Sequence, residues 1–522
     1  MHKFVLFLPL FLGAAACTGH ASNFAPPNPP GAHGVGLRVV QQYDHARVYR
    51  QKIDLTSGRP ATGARMRPLQ TLIWYPARTK SGERLHYQDY GRLAATETVF
   101  ARSLADIDQE IAAALEENYP ALSAGQRRSE MAQAMLAQRD APAAPGSFPV
   151  VIYAPGSSTS AQENADLCEY LASHGYIVLA TPSLGAGTRS MTIDLDGAEA
   201  QAADISFLAG YAATLAQADS TRIAVLGYSM GGLANVLAAA RDDRIGALVA
   251  LDGSVRYHVG IAQAAAYATP ERLALPMLYM GGKPSTAEAM NRNKQVPTYS
   301  LLNQMKYADL YNVTMYTMEH AAFQSESLRL GPEQRFGEYS RAEAALAYGW
   351  MEKYVLAFLN AYLKDDAKAL AFLNGAPKDN GVPAHLMAVD VHRAEGPPPT
   401  LATLASEFAK RNYTDVAGIY QEMHRTAPGF KPGERALISW GEPFLEQKRY
   451  AQAIDIFALT NALYPDSGRT AFYLALAYDR NQDSAHAIEH YQRVLTYIPD
   501  MPEAKQSISR LRAQAPRAPA SP

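Results

Sequence analysis

Cysteine is nearly absent. Only Cys17 and Cys168 occur in 522 residues, so no disulfide framework follows from the sequence. Charge imbalance is missing too: 48 basic residues face 50 acidic ones. With no basic stripe, nucleic acid is not an expected partner. Long apolar runs are also lacking. None approaches the roughly 18 residues that a membrane-spanning helix needs, although 48% of the residues are hydrophobic and only 19% charged. What remains is a soluble globular composition with ample core material. The length calls for two or three domains.

What is there begins with a targeting pattern. Lys3 precedes an apolar run, Phe4 to Leu12, followed by Gly13-Ala-Ala-Ala-Cys17. This predicts a signal peptide over residues 1–16 and export to the periplasm or cell envelope of a bacterium. The small residues before Cys17 resemble a bacterial lipoprotein box, which implies a lipidated Cys17 and a membrane anchor. Ala14 stands where that box usually carries Leu, and ordinary cleavage after Ala16 or Ala21 is the alternative. Residues 17–34, rich in Pro, Asn and Gly from 23 onward, read as a tether.

The centre of the chain is Arg222-Ile-Ala-Val-Leu-Gly-Tyr-Ser-Met-Gly-Gly-Leu-Ala-Asn-Val-Leu-Ala-Ala-Ala240. Ile223 to Gly227 reads as a buried strand and Leu233 to Ala240 as a helix. Between them lies Gly227-Tyr-Ser-Met-Gly231, a G-x-S-x-G pattern at a strand-to-helix turn. In that context it is a nucleophile elbow. The turn is so sharp that side chains at the glycines would collide, and Ser229 is left exposed at the carboxyl end of its strand.

Around this elbow strands alternate with helices. Gly36–Gln41 and Leu69–Tyr75 read as the first strands. The stretch 91–141, rich in Ala, Glu, Gln and Arg, reads as a helical insertion of two or three helices. It either packs over the sheet or shapes an acyl pocket. Phe148–Ala154 is a buried strand. Ser160-Ala-Gln-Glu163 has the spacing of a capping box and predicts a helix through His174. Further strands are expected at Tyr176–Ala180, Ile245–Leu251, Met277–Met280 and Leu310–Thr317, with helices at 198–218 and 341–364. This alternation predicts an α/β domain over 35–374 with a mainly parallel sheet covered on both faces.

A serine hydroxyl needs a base, usually His, held by a carboxylate. In this type of fold the chain order is Ser, acid, His. His258 and His320 are the histidines available between Ser229 and residue 375. His320 directly follows the Leu310–Thr317 strand, where the base belongs. Asp252 ends the Ile245–Leu251 strand and is the expected acid. Glu288 lies beyond a strand that lacks a carboxylate at its tip, and Asp309 precedes its strand. The oxyanion hole is expected from the backbone amides of Met230 and Ser157. No metal site or organic cofactor is implied.

The motifs Leu72-Ile-Trp-Tyr-Pro76, Tyr153-Ala-Pro-Gly156, Leu171-Ala-Ser-His-Gly-Tyr176, Gly227-Tyr-Ser-Met-Gly-Gly232, Leu251-Asp252 and His320-Ala-Ala-Phe323 resemble the α/β-hydrolase superfamily. Within it they are most similar to the branch that is platelet-activating-factor acetylhydrolase-like and dienelactone-hydrolase-like. In the acetylhydrolase-like branch the acid follows the strand after the elbow, and the base lies in a His-x-x-Phe context, as Asp252 and His320 do here. A His-Gly start to the oxyanion loop is replaced by Ala154-Pro155-Gly156. The resemblance implies an exported serine hydrolase acting on carboxylic esters, with a small ester or lipid-like molecule as substrate. The same machinery also serves dienelactone-type or amide substrates.

Residues 375–399, with Gly, Asn and Pro397-Pro-Pro399, read as a linker. Beyond it, 400–514 is helical and repeats. Phe444 and Tyr478, Ala453 and Ala487, Phe457 and Tyr491, and Pro465 and Pro499 all stand one period of about 34 residues apart, the tetratricopeptide spacing. These repeats suggest a protein partner. A non-catalytic envelope scaffold built on them is the reading from another class. Residues 515–522 are expected to be a disordered tail.

Overall fold

The computed structural model describes residues 22–53, 57–80, 82–282 and 301–514. Signal segment, Cys17, Glu288 and tail lie outside the described residues. The chain divides into two compact units, Met1–Gly396 and Pro397–Pro522.

The first unit is built on one sheet of ten strands: β1 (Gly34–Val48), β2 (Met66–Ala77), β3 (Ala137–Arg139), β4 (Phe148–Ala154), β5 (Ile177–Ala180), β6 (Ala218–Tyr228), β7 (Ile245–Leu251), β8 (Met277–Gly282), β9 (Leu310–Met315) and β10 (Met387–His392). Their order is β10-β9-β8-β7-β6-β4-β5-β2-β1-β3. The strands from β9 across to β5 are mutually parallel. β2 is antiparallel to β5, and β10 is antiparallel to β9. This is the mainly parallel α/β architecture expected.

The alternation of strand side chains explains the two layers. Along β4, Val151 and Tyr153 enter one core while Val150, Ile152 and Ala154 enter the other. Both faces are buried, so the strand reads as an unbroken apolar run. The first core packs on helices α1 (Tyr87–Ala94), α3 (Ala124–Met131), α4 (Ala165–Ser173) and the long helix Arg341–Leu363. The second packs on α5 (Leu195–Ala212) and α6 (Gly231–Ala239).

Four expectations change. The stretch 375–399 is not a plain linker: Met387–His392 is the edge strand β10, paired residue for residue with β9. Its Gly and Pro punctuation hid a strand that forms because β9 offers a free edge. The insertion 91–141 holds α2 (Leu104–Asn118) and α3, but α1 begins earlier, at Tyr87, and the segment ends as β3 against β1. The described part of 17–34 does not hang free. Phe24 is buried, and Asn28 donates to Gly349 O at 2.7 Å and to Glu352 at 2.8 Å. Finally, Ser160–Glu163 does not cap a helix. α4 starts at Ala165, and the Glu163 carboxylate turns instead to Tyr153 and Gly156.

The second unit consists of paired helices. Glu434–Glu446 and Tyr450–Leu463 recur as Gly468–Arg480 and Ser484–Tyr497, so the sequence period is also a period of structure. Gly441 is where the helices approach: a Cβ there would come within 2.4 Å of the Phe457 ring.

Candidate active site

Three strand ends converge on one point. Ser229 follows β6 directly, with φ at +52°. This left-handed conformation is uncommon for a non-glycine residue, and its neighbours enforce it. A Cβ on Gly227 would come within 2.1 Å of Gly231 O, and one on Gly231 within 2.0 Å of Ala154 O. Only glycine permits so close a crossing of strand and helix. The Ser229 N–H donates to Leu251 O at 3.1 Å, and Ser229 O accepts from Ser254 N at 2.8 Å. The turn is therefore tied to the neighbouring loop.

That loop carries Asp252, which also has a left-handed φ of +42°. Its backbone N–H donates to Met280 O at 2.7 Å. The side chain is buried, and its Oδ1 accepts from Gly282 N at 3.0 Å and Tyr257 Oη at 3.2 Å. These bonds fix the direction of Oδ2. Oδ2 lies 2.6 Å from His320 Nδ1.

His320 follows β9 in a short 3-10 turn, His320–Phe323. Its Nε2 lies 3.0 Å from Ser229 Oγ. The ring stacks on Tyr228 at 5.0 Å between centroids, and Tyr228 Oη donates to His320 O at 3.1 Å. The imidazole side chain is 51% exposed, whereas Asp252 is 7% exposed. The buried carboxylate anchors one side of a ring whose other side faces the serine.

The loop after β4 completes the site. Gly156 N–H donates to Glu163 Oε1 at 2.7 Å, and Tyr153 Oη donates to the same oxygen at 2.8 Å. Burial pushes the Glu163 carboxyl up to about 7. Ser158 is a third left-handed residue, with φ +58°. Arg189 holds this loop by donating to Ser158 O at 3.1 Å, and it also bonds Glu97, at 2.8 Å. Glu97 accepts in turn from Ala161 N at 3.2 Å. Burial raises its carboxyl to about 7 despite the guanidinium beside it. Among the described residues, the N–H groups of Ser157 and Met230 meet no acceptor.

Of the residues singled out from sequence, Ser229, Asp252 and His320 thus form one hydrogen-bonded chain. His258 does not join it. That residue precedes the short helix Val259–Ala264, where burial lowers its pKa. Asp309 is also elsewhere, at the opposite end of β9, paired with Arg393 at 2.7 Å. Glu97, Glu163 and Arg189 were not anticipated as parts of the site. Glu97 and Arg189 meet across 92 positions of sequence, so no local motif marks them, and Glu163 carries the spacing of a capping box that points elsewhere. Among the described residues no cluster of His, Cys, Asp or Glu could hold a metal ion.

Residues 119–257 match the Chlorophyllase family model. The match spans Ser157, Ser229, Met230 and Asp252 and ends before His320. Curated protein sequences give no match. Among solved structures, the chain is similar to a ferulic acid esterase from Streptomyces cinnamoneus, with TM-score 0.45 and 20% identity over 65% of this chain and 93% of that one. With the serine elbow at the end of central β6, the strand order is that of an α/β-hydrolase fold.

Proposed function

We propose that the chain is a serine hydrolase that cleaves carboxylic esters through an acyl-enzyme. The observation that carries this reading is the chain Ser229 Oγ, His320 Nε2, His320 Nδ1, Asp252 Oδ2, with spacings of 3.0 and 2.6 Å. The Chlorophyllase match supports ester hydrolysis as the reaction class.

Each step follows from the geometry. Asp252 accepts a hydrogen bond from His320 Nδ1–H, which keeps the proton on Nδ1 and leaves Nε2 free to take the proton of Ser229. Ser229 Oγ attacks the ester carbonyl carbon while its proton passes to Nε2. The carbonyl oxygen gains negative charge, and the Ser157 and Met230 amides are the proposed donors that stabilise it. Collapse breaks the bond to the alcohol oxygen, and His320 gives that oxygen the proton. The acyl group then sits on Ser229. Water attacks it with His320 as base, and the acid leaves as Ser229 recovers its proton.

The test is turnover of p-nitrophenyl acetate by the wild type and by Ser229→Ala. Loss of roughly 10⁴-fold or more is expected, because one member of such a unit carries most of its effect. Near-wild-type turnover in that variant would sink the reading.

Two further elements of the proposal rest on sequence. Phe4–Leu12 and Cys17 support export with a lipid anchor, and Cys17→Ser should move the protein from membrane to soluble fractions. The 34-residue recurrence supports tetratricopeptide-like repeats that bind a protein.

A further inference from the structure

A cavity of about 160 Å³ lies between the helical insertion and the loops of the site. Ile111 and Leu115 of α2, Gly91 of α1 and Met131 of α3 form one side of it. Ser160 and Glu326 belong to the other. Ser160 stands three residues after Ser157, so chain geometry keeps it within about 11 Å of that amide. Glu326 stands six residues after His320, and its N–H donates to Glu163 O at 3.1 Å. The cavity is therefore walled by the loop that carries the oxyanion amide and by the helix Ser325–Leu330 that follows the base.

Its wall is mixed: Ile111, Leu115, Met131 and Leu330 stand beside Asn118, Ser160 and Gln162, and among the described residues the Gln162 side-chain oxygen is buried without a partner. The conspicuous polar pair, Tyr119 and Glu326, is mutually satisfied: Tyr119 Oη donates to Glu326 Oε1 at 2.7 Å. Gly91 keeps the space open, since a Cβ there would already lie 3.1 Å from Met131 Cε and 3.7 Å from Ile111. A helix-interior glycine is less favourable than alanine, and here the side chain it omits would intrude on the cavity wall. A cavity of about 150 Å³ has room for a benzene ring, so the capacity is about six carbons.

We infer that this cavity is the acyl-chain pocket of the esterase and selects acyl groups of about six carbons. The inference rests on the proposed ester chemistry at Ser229. The leaving oxygen must lie against His320 Nε2, which protonates it. The carbonyl oxygen must lie against the Ser157 amide. The loop that carries Ser157 runs on into the cavity wall at Ser160, so the acyl substituent is the part of the substrate that reaches it. The insertion thus sets which acid is released.

The experiment is kcat/KM for p-nitrophenyl esters from acetate to dodecanoate, and for acetate esters of alcohols of increasing length. Each acyl methylene up to about six carbons should raise kcat/KM about fourfold, the worth of one buried CH₂. Longer acyl chains should gain nothing further. Ala114→Phe, which fills the cavity, should lower the hexanoate-to-acetate ratio at least tenfold. Leu115→Ala, which enlarges it, should move the optimum to longer chains. A flat acyl profile, an optimum unmoved by both variants, or selectivity that follows the alcohol instead would overturn the inference while leaving the esterase reading intact. If no ester turns over, the reading of Ser229 fails first and the pocket assignment falls with it.

Discussion

The two units bury very different things. The first buries charge. Arg67 and Asp204 pair at 2.5 Å with both side chains almost inaccessible, and so do Arg329 and Asp166. Glu163 and Glu169 are enclosed as well. In the second unit, the only buried polar side chains among the described residues are Thr460 and Thr470. Thr460 donates to Ile456 O one turn earlier at 2.7 Å, and Thr470 donates to Glu434 on another helix at 2.8 Å. Desolvating an ion pair costs several kcal/mol per ion, and apolar packing of the same volume is often the more stable choice. The repeats follow that choice, with Phe408 stacked on Trp440 at 5.3 Å and Ala453 and Ala487 in the cores. The first unit departs from it where loops need fixed positions. Asp166 ties α4 to Arg329 in the helix after His320, and Glu163 holds the loop that carries Ser157. Buried charge marks the unit that carries the proposed chemistry.

The largest effect should come from the acid. Asp252→Asn keeps shape but favours the wrong imidazole tautomer, a change that costs about 10⁴ in a well-studied serine protease triad. Ester turnover should fall roughly 10³–10⁴-fold with the melting temperature little changed. A mild effect would remove Asp252 from the proposed chain.

Next come the ion pairs themselves. Arg329→Met leaves Asp166 buried without its partner and should cost about 3–5 kcal/mol in denaturant unfolding. The pair Arg510–Asp479 in the second unit has a half-exposed arginine. Arg510→Met should therefore cost less than about 1 kcal/mol. Equal costs would erase the contrast between the units.

The pH response should follow the same division. Burial raises Glu163 and Glu169 to about 7 and Glu352 to about 8, from an ordinary value of 4.5. The folded state holds these protons where the unfolded state has lost them. Their contribution is therefore fully present below pH 4.5 and is lost as pH rises to 7–8, at about 1.4 kcal/mol per pH unit for each group. Melting of the first unit should shift downward between pH 5 and 8, and Glu352→Gln should flatten that slope. A melting temperature that rises over this range would contradict the assignment.

The smallest effect expected is from removing the repeats. A chain ending at Gly396 should retain turnover of small soluble esters. One ending at Asn374 would lose β10 and expose the edge of β9, so it should be less stable.

The elbow was legible because its signals are local: an apolar strand, glycines where backbones cross, and a helix of small residues. Ile245–Leu251 and Phe148–Ala154 were legible for a related reason, since strands buried on both faces have unbroken apolar sequences. Asp252 and His320 could be read from their places after strands. The failures have one cause. Ser160–Glu163 has the spacing of a capping box, but Glu163 satisfies Gly156 N and Tyr153 Oη instead. Strand β10 pairs with β9 through a short alternation, Met387, Val389 and Val391, that the surrounding Gly and Pro obscure. Arg189 and Glu97 meet across 92 positions of sequence. Local pattern reports local competition only, and these outcomes were decided by distant groups.

The central claim is that the acyl group passes through Ser229. The most direct test is rapid acid quenching of the full chain during turnover of p-nitrophenyl acetate, followed by peptide mass measurement. An acetyl adduct on the peptide containing Ser229, absent in Ser229→Ala, is the result expected. Steady turnover with no adduct there, or with the adduct on another residue, would contradict the account.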